Sequence, residues 1–427
     1  MTTALHNFNP ATERLFKQRC EHAPCRSCRH RGLVPILDLG PMPLSDGFLP
    51  AEALAAVTAR YPLEFVFCPR CSLVQILETV PPETLFGDDY PYYSSFSDTL
   101  LAHSQGHARD LVQRRGLTGA SLVVELASND GYLLKYFVEC GIPVLGIDPA
   151  QGPAEVANDN GVHTIHAFFT NELADELRAE GKQADVIIAN NVLAHVADTN
   201  GFVRGICTLL RGNGVAVLEF PYVRDLIDRC EFDTIYHEHL CYFSLHAVDR
   251  LFRNNGLYVN EVRRLPIHGG SLRIYAGVIE DVQRSVIDLL AEENTIGLTR
   301  PEYYEGFAEQ TAEIRQRMRS ILRAVKDDGK RIAAYGAAAK GTILLNFIGV
   351  DQTIVEFAVD RNVHKQGKYI PGVNIPIVAP EELLQRMPDY TIILPWNLRD
   401  EILEQQTEYR DRGGRFIVPI PRPQIIQ

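Results

Sequence analysis

A Tyr-His-Glu-His segment near the middle of the chain groups side chains that can move protons. A histidine with a pKa near neutrality suits removal of a proton, and a tyrosine hydroxyl or second histidine suits stabilisation of an oxyanion. We assign His239 as the base and Glu238 as the group that orients it. Tyr236 and His195 are assigned as hydrogen-bond donors near the oxyanion. The segment lies between a predicted strand and a helix starting at Ser244, the edge where open α/β sheets bind ligands.

Two Cys-x-x-Cys pairs lie in the first part of the chain, at Cys25/Cys28 and Cys68/Cys71. Each pair places two thiolates on one tight turn, and two such turns supply the tetrahedral sulfur set that zinc prefers. Four protein ligands leave no position open for substrate or water, so the spacing predicts a structural metal. Cys20 is a further candidate ligand. The alternative to a metal site is that buried cysteines occur in pairs by chance.

A third motif, VVELASNDG, joins a strand to the helical run YLLKYF. Small residues in such a loop let a ligand approach the backbone at a helix amino terminus. The next strand, VLGID, ends in an acidic residue placed to accept hydrogen bonds from a ribose. The loop lacks the G-x-G-x-x-G pattern of dinucleotide oxidoreductases and looks like the first motif of class I methyltransferases. The predicted cofactor-binding residues are Glu125, Ser128, Asn129, Asp130, Gly131, Asp148, Phe168 and Asn190. Phe169 is an alternative to Phe168 beside adenine, and a core position is the alternative for either ring.

Alternating apolar runs and amphipathic stretches from Ser121 predict a parallel α/β sheet with helices on both faces. A helix from Ser244, ending at Gly256, and two antiparallel strands around HGG follow. The alternating pattern then returns near the carboxyl terminus. We predict an α/β protein with four regions: a zinc-binding domain (1–85), a class I methyltransferase Rossmann-like domain (86–282), a helical connector (283–329) and a second Rossmann-like domain (330–427).

The order of these motifs resembles the sugar C-methyltransferases of deoxysugar biosynthesis, which methylate C3 of thymidine-diphosphate-linked 4-keto sugars. The resemblance runs through YPYYSSFS, ELASNDG, NNVLAHV, YHEHLCYFS, HGGSLRIY and YGAAAKG, and so covers nearly the whole chain. It implies S-adenosylmethionine as cofactor, zinc on the four paired cysteines, and a nucleotide-linked keto sugar as substrate. It also implies catalytic or substrate-facing roles for Tyr90, His195, Tyr236, Glu238 and His239. One departure is Ala127, where relatives often have glycine.

The implied reaction suits these side chains, because C3 beside a C4 ketone loses a proton only if a base takes it and the enolate oxygen is stabilised. The carboxyl-terminal run RIAAYGAAAKG predicts a pyrophosphate cradle, and HGGSLR predicts contacts to phosphate or sugar. A purely structural role is the alternative for both runs. The predicted substrate-binding residues are His268, Arg273, Gly336, Lys340 and Gly341.

Composition narrows the remaining function classes. A formal charge of −12 over 427 residues opposes broad binding to nucleic acid. No apolar run has the length of a membrane span or the form of a signal peptide, so we expect a cytoplasmic protein. An O- or N-methyltransferase, a nicotinamide oxidoreductase and a zinc-ribbon binding module stay open as alternatives. Structural roles for His237 and His239, or a second metal on both, are the alternatives at the Tyr-His-Glu-His segment.

Overall fold

The computed structural model describes residues 10–86 and 92–426 of the chain. Its strands are β1 Val34–Met42, β2 Tyr61–Phe67, β3 Val74–Ile76, β4 Val123–Leu126, β5 Val144–Asp148, β6 Thr164–His166, β7 Ala184–Asn190, β8 Leu210–Pro221, β9 Cys241–Tyr242, β10 Tyr258–Leu265, β11 Ser271–Gly277, β12 Ile332–Tyr335, β13 Ala358–Val359, β14 Tyr369–Ile370, β15 Ile375–Val378, β16 Tyr390–Ile393, β17 Arg415–Val418 and β18 Gln424–Ile426. Its α-helices are α1 Pro10–His22, α2 Pro82–Leu85, α3 Asp98–Arg115, α4 Lys135–Glu139, α5 Gln151–Asp159, α6 Asn171–Ala179, α7 Thr199–Leu209, α8 Val223–Asp228, α9 Leu245–Arg253, α10 Arg284–Ile296, α11 Phe307–Asp327, α12 Ala339–Ile348, α13 Glu382–Arg386, α14 Arg399–Gln405 and α15 Thr407–Asp411.

The central sheet has the strand order β10-β11-β8-β7-β4-β5-β6. Strands β4 to β8 run parallel, whereas β11 is antiparallel to both of its neighbours. The parallel strands are almost continuously apolar because helices cover both faces of the sheet, and β4 is buried throughout. This mixed sheet with one reversed strand is the class I methyltransferase arrangement, so the predicted fold class is confirmed.

The carboxyl ends of β4, β5 and β7 meet at one edge of this sheet, as the run of motifs predicts. β5 ends at Asp148 and β7 ends at Asn190. The antiparallel pair β10 and β11 also forms as predicted, with Leu265 opposite Ser271 around the HGG turn. The cofactor motifs therefore share one edge of the sheet.

Helix α9 follows the Tyr-His-Glu-His segment and begins where the sequence predicts. The Ser244 hydroxyl accepts a hydrogen bond from the backbone N–H of Ala247 at 3.1 Å, which caps the helix. The buried carboxylate of Glu293, on α10, accepts a second bond from the N–H of Leu245. The last helical residue is Arg253, and the chain then turns at Gly256 with a φ of 82°.

An antiparallel sheet has the order β1-β2-β3-β9. One cysteine pair precedes β1, and the other lies in the turn between β2 and β3. Strand β9 comes from the methyltransferase region and follows the Tyr-His-Glu-His segment directly. The His237 ring, within that segment, contacts the carbonyl of Pro62 on β2 at 3.2 Å. The amino-terminal sheet therefore anchors the segment that carries the candidate base.

The third sheet has the order β14-β15-β13-β12-β16-β17-β18, with parallel pairing from β15 to β17. The region of this sheet contacts the regions of both other sheets. Thr342 donates to the carbonyl of Ser45, in the amino-terminal region, at 2.8 Å, and Trp396 donates to Asp233, in the methyltransferase region, at 2.9 Å. Helices α10 and α11 lie in the predicted connector, and the four domain boundaries stay a prediction. Within residues 10–86 and 92–426, no helix has the length and apolarity needed to span a bilayer.

Candidate active site and metal centre

The four paired cysteines converge on one point. Their sulfur atoms all lie within 4.8 Å of one another, with Cys25 and Cys71 at 3.5 Å and Cys28 and Cys68 at 3.6 Å. Zinc–sulfur bonds of about 2.3 Å require sulfur separations of about 3.8 Å in a tetrahedron. The four thiols therefore fit a zinc ion closed to substrate.

The two cysteine turns have the same backbone. The N–H of Arg29 donates to the carbonyl of Cys25 at 3.0 Å, and the N–H of Ser72 donates to that of Cys68 at 2.9 Å. Both residues have a left-handed φ, 60° at Arg29 and 63° at Ser72. Because each turn closes after its second cysteine, both thiols of a pair face the same side.

Several buried polar atoms at the cofactor edge find no hydrogen-bond partner among the described residues. They are both carboxylate oxygens of Glu125, the Ser128 hydroxyl, Oδ1 of Asp130 and Oδ1 of Asn190. Burial, together with the charges of Asp148 and Asp130, raises the pKa of Glu125 well above its usual value. Buried polar groups are ordinarily paired, so this cluster of acceptors fits a polar ligand that brings an ammonium group and hydroxyls, as S-adenosylmethionine does.

Asp148 has partners of its own at this edge. Its carboxylate accepts bonds from the N–H groups of Asn129 at 2.7 Å and Ala150 at 2.8 Å, while burial raises its pKa to about 6. Each oxygen keeps a further lone pair for a ribose hydroxyl. Asp148 therefore shapes the cofactor loop as well as offering acceptors to a ligand.

A short segment, residues 92–95, lies over the cofactor loop. The Asn129 side chain accepts from the N–H of Ser94 at 2.8 Å and donates to the carbonyl of Tyr92 at 3.1 Å. The second oxygen of Asp130 accepts from the N–H of Ser95 at 3.1 Å. The side chains of these two predicted cofactor residues thus hold the covering segment. The neighbouring Tyr90 lies outside the described residues.

The aromatic candidates after β6 separate in the structure. Phe169 packs edge-on against Phe202 at 5.5 Å between ring centres, whereas 38% of Phe168 is exposed. The interior position of Phe169 leaves Phe168 as the candidate for adenine.

Gly131, in the cofactor loop, has a φ of 77°, and an added Cβ there would lie 3.0 Å from Val162.

Tyr236 and His239 form a hydrogen-bonded pair with a defined direction. Nδ1 of His239 lies 3.0 Å from the carbonyl of Thr234, which can only accept, so Nδ1 carries the ring proton. Nε2 is then the acceptor, and the Tyr236 hydroxyl donates to it at 2.9 Å. Burial and the neighbouring His195 lower the pKa of His239 well below its ordinary value. The imidazole is therefore neutral and already aimed at a proton.

His195 completes this group from the other side. Its ring lies edge-on to His239, with 4.8 Å between centres, and its Nδ1 has no hydrogen-bond partner in the described part of the chain. Burial lowers the pKa of His195 to about 4, and burial raises that of Tyr236 well above its usual value. All three side chains are half-buried, as groups lining a crevice are.

Glu238 does not orient His239, contrary to the sequence-based assignment. Thr234 and Tyr236 hold the two ring nitrogens of His239. The Glu238 carboxylate instead accepts from the backbone N–H of Asp46, in the zinc-bearing region. The two neighbouring side chains therefore have different partners. The expectation is wrong because it relies on adjacency in sequence.

Lys340 reaches the same crevice from the third sheet's region. Its ammonium donates to Asn397 at 2.8 Å and lies 4.5 Å above the Trp396 ring. Burial lowers the pKa of Lys340, against the charges of Asp233 and Glu231. The ammonium of Lys340 therefore lies near the carboxyl groups of Asp233 and Glu231 rather than at an open helix terminus.

His268 lies close enough to Lys340 to feel its charge. Burial and that charge lower the pKa of His268 to about 4, and its buried Nε2 has no hydrogen-bond partner among the described residues. His268 has a φ of 59°, so the HGG turn holds it in a left-handed conformation.

Arg273 is occupied by a protein partner, not by an open phosphate site. Its guanidinium pairs with the buried carboxylate of Glu219, which also accepts a hydrogen bond from Nε2 of His103 at 2.8 Å. Burial acts to raise the pKa of Glu219, but the His103 hydrogen bond and the Arg273 charge bring it down to about 2. The Arg273–Glu219 pair therefore links β11 to β8.

The two glycines of the predicted pyrophosphate cradle serve packing. A Cβ added at Gly336 would lie 2.6 Å from Pro395, and one at Gly341 would lie 2.7 Å from Leu394. Both glycines therefore let the start of α12 pack against the end of β16. The cradle stays a prediction, with its lysine directed elsewhere.

The sequence-based reasoning missed the crevice residues that other regions contribute. Asp46 comes from the zinc-bearing region, Glu231 and Asp233 precede the Tyr-His-Glu-His segment, and Lys365 and Trp396 come from the third sheet's region. Trp396, the one tryptophan of the sequence, was the single available signal. The others are unremarkable by local pattern, because only the tertiary fold brings them to the crevice.

Comparison with known families agrees with this architecture. The matching family models are a zinc binding domain over residues 25–86, a methyltransferase domain over 100–262 and a C-methyltransferase C-terminal domain over 266–421. Fold, cofactor edge and cysteine cluster together define an S-adenosylmethionine-dependent methyltransferase with a zinc-binding domain.

Among individual proteins, the chain is 38% identical over 405 residues to the C-methyltransferase NovU of Streptomyces niveus, covering 94% of this chain and 96% of NovU. The chain belongs to the C-methyltransferase family. A ubiquinone biosynthesis O-methyltransferase of Azorhizobium caulinodans is 28% identical over 28% of this chain and 47% of its own length. Among solved structures, the glycopeptide N-methyltransferase MtfA covers 41% of this chain and 94% of its own, at 12% identity. The TM-score of this match is 0.33.

Proposed function

We propose that this C-methyltransferase transfers a methyl group to C3 of a nucleotide-linked 4-keto deoxysugar through an enolate. The observation that carries the proposal is the neutral Tyr236–His239 pair, in which the acceptor nitrogen of His239 takes a hydrogen bond from the Tyr236 hydroxyl. Methylation at oxygen or nitrogen needs no base for a carbon acid, whereas methylation beside a ketone does. We further propose a cytoplasmic enzyme with no nucleic-acid partner.

In the proposed reaction C3 loses one proton and Nε2 of His239 gains one, with the Tyr236 hydroxyl between them. The Tyr236 oxygen takes the C3 proton as its own proton passes to the imidazole, which then carries a positive charge. The electron pair of the C3–H bond forms the enolate. The unpaired Nδ1 of His195 lies beside this pair and is placed to bind the enolate oxygen.

S-adenosylmethionine supplies an electrophilic methyl group on a sulfonium leaving group. Glu125, Ser128, Asp130, Asp148 and Asn190 would hold it, since they place acceptors at the carboxyl ends of β4, β5 and β7. The chain's own contribution to this step is alignment and exclusion of water.

His268 and Lys340 are proposed to contact the sugar nucleotide. They line the crevice on the side of the third sheet's region, and His268 keeps an unpaired nitrogen. Arg273 is proposed to act only indirectly, since Glu219 holds its guanidinium.

The test is incubation of the purified protein with S-adenosylmethionine and a panel of thymidine-diphosphate-linked 4-keto sugars, read by mass spectrometry. The proposal predicts one added methyl group on the sugar of at least one panel member. Methylation of sugars that lack the ketone at the same rate would contradict it, because no enolate forms on them.

A further inference from the structure

A buried lysine joins the catalytic region to the other two domains. Lys365 is 6% exposed and lies in the turn after β13, in the third sheet's region. Its ammonium donates to the carbonyl of Ala337 at 2.9 Å, lies 3.9 Å from Oδ1 of Asp46, and lies 5.0 Å above the Phe48 ring. Asp46 and Phe48 belong to the zinc-bearing region, so this contact crosses between domains.

Glu238 closes the cluster from the methyltransferase domain. Its carboxyl group, 5% exposed, accepts from the N–H of Asp46. Burial and the charge of Asp46 raise the pKa of Glu238 well above its usual value, and the charge of Lys365 acts to lower it. Two carboxylates thus share one ammonium in a buried place. Asp46 Oδ1 finds no hydrogen-bond partner in the described ranges, so the cluster is electrostatic rather than a closed hydrogen-bond network.

Stability alone does not account for such a cluster. Burying an ammonium costs several kcal/mol before pairing, and apolar replacements of buried ion pairs are often as stable or more so. A second carboxyl group lowers the stability of such a cluster further, because like charges repel and one of the two groups must hold a proton. The arrangement makes sense where the position of the Glu238 side chain matters to the neighbouring Tyr236 and His239.

We propose that Lys365 and Asp46 are positioning residues for Glu238: they hold its carboxyl group on the segment that carries Tyr236 and His239, so that the site is complete only with all three domains docked. The inference rests on the proposed function only in taking the segment that carries Tyr236 and His239 as the active site. Opposite charges at close range lower a carboxyl pKa and like charges raise it. Lys365 and Asp46 therefore act on Glu238 in opposite directions.

The titratable groups around the cluster come from several segments. They are Asp360 beside Asp46, Tyr236 on the segment of Glu238 itself, and Tyr92 from the segment over the cofactor loop. Burial raises the pKa of both tyrosines, so they stay neutral near pH 7. Asp360 is the remaining carboxyl group, and none of the variants of the cluster replaces it.

The experiment measures the protonation of Glu238 in the full chain without substrate. An infrared titration follows the carboxyl band that is absent in Glu238→Gln. Lys365→Met should raise the pKa of this band by about one unit or more, and Asp46→Asn should lower it by a similar amount. Lys365→Arg should restore the wild-type value, and Lys368→Met, three residues away in the same turn, should leave it unchanged.

The pH profile of kcat with a thymidine-diphosphate-linked 4-keto sugar should move in the same two directions. Circular dichroism confirms folding, and Asp46→Asn carries the test if Lys365→Met does not fold. Bands that stay at the wild-type pKa, or that move in the same direction in both variants, would overturn the inference. If the bands move as expected but the wild type methylates no keto sugar, the positioning inference stands and the proposed substrate fails.

Discussion

Replacing His239 by asparagine isolates the chemistry of the base from its structural role. Asparagine places an N–H where Nδ1 lies, so the 3.0 Å bond to the carbonyl of Thr234 can persist. The acceptor for the Tyr236 hydroxyl is lost, together with part of the ring. One neutral hydrogen bond is worth about 1 kcal/mol net, so His239→Asn should fold with a modest loss of stability.

The catalytic loss should be much larger than the structural one. A positioned general base contributes about 10²- to 10⁴-fold, so His239→Asn should raise the barrier by about 3–5 kcal/mol. The proposed enolate forms before methyl transfer. The variant should therefore also lose exchange of the C3 proton with solvent deuterium in the absence of S-adenosylmethionine, while calorimetry shows cofactor binding unchanged.

The matched control is His237→Asn. That neighbour contacts Pro62 on the zinc-bearing side and lies outside the proposed machinery. It should keep turnover and exchange near the wild-type rates. Wild-type exchange in His239→Asn would refute the assignment of the base, whereas loss of exchange in both variants would mean that the assay reports packing of the segment.

Three further predictions concern the metal, the cofactor loop and the buried histidines. Cys28→Ser should lower bound zinc, measured by elemental analysis, and lower the unfolding midpoint before it affects cofactor affinity, because the four sulfurs form a closed site; full zinc content in the variant would contradict this. Ala127 has a left-handed φ of 55°, so Ala127→Gly should raise the free energy of unfolding by about 1 kcal/mol in denaturant titrations, and a loss of stability would show that the methyl group packs usefully. Burial lowers the pKa of His107 to about 3 and of His195 to about 4, whereas unfolded histidines titrate near 6.5, so the unfolded state binds protons that the native state does not. Stability should therefore be complete above about pH 6.5 and fall toward pH 4, by about 2 kcal/mol or more per histidine, and a flat unfolding free energy between those values would contradict it.

The parts of the molecule that the sequence predicts are those encoded by local pattern. The four cysteines, the strand ending at Asp148 and the cap at Ser244 each depend on a few consecutive residues. Spacing within a turn or periodicity within a strand is enough to place them. The zinc centre and the cofactor edge are therefore predictable from short stretches of sequence.

The incorrect assignments concern contacts made over long distances in sequence. Adjacency assigns Glu238 to His239, but the partners of Glu238, Asp46 and Lys365, come from two other domains. Charge assigns Arg273 to phosphate, yet Glu219 on the adjacent strand pairs with it. Charge and proximity in sequence do not specify a partner, because pairing is decided by which strand ends and turns the fold brings together.

The most direct test of C-methylation uses S-adenosylmethionine labelled with ¹³C in its methyl group and a thymidine-diphosphate-linked 4-keto sugar labelled with ¹³C in the ring. The proposed reaction joins the two labels by a carbon–carbon bond, so the product's methyl signal in the NMR spectrum should show one-bond coupling to C3. Coupling to C5 would keep carbon methylation but move its position. A methyl signal without one-bond carbon coupling, at the shift of an O- or N-methyl group, would contradict the central claim.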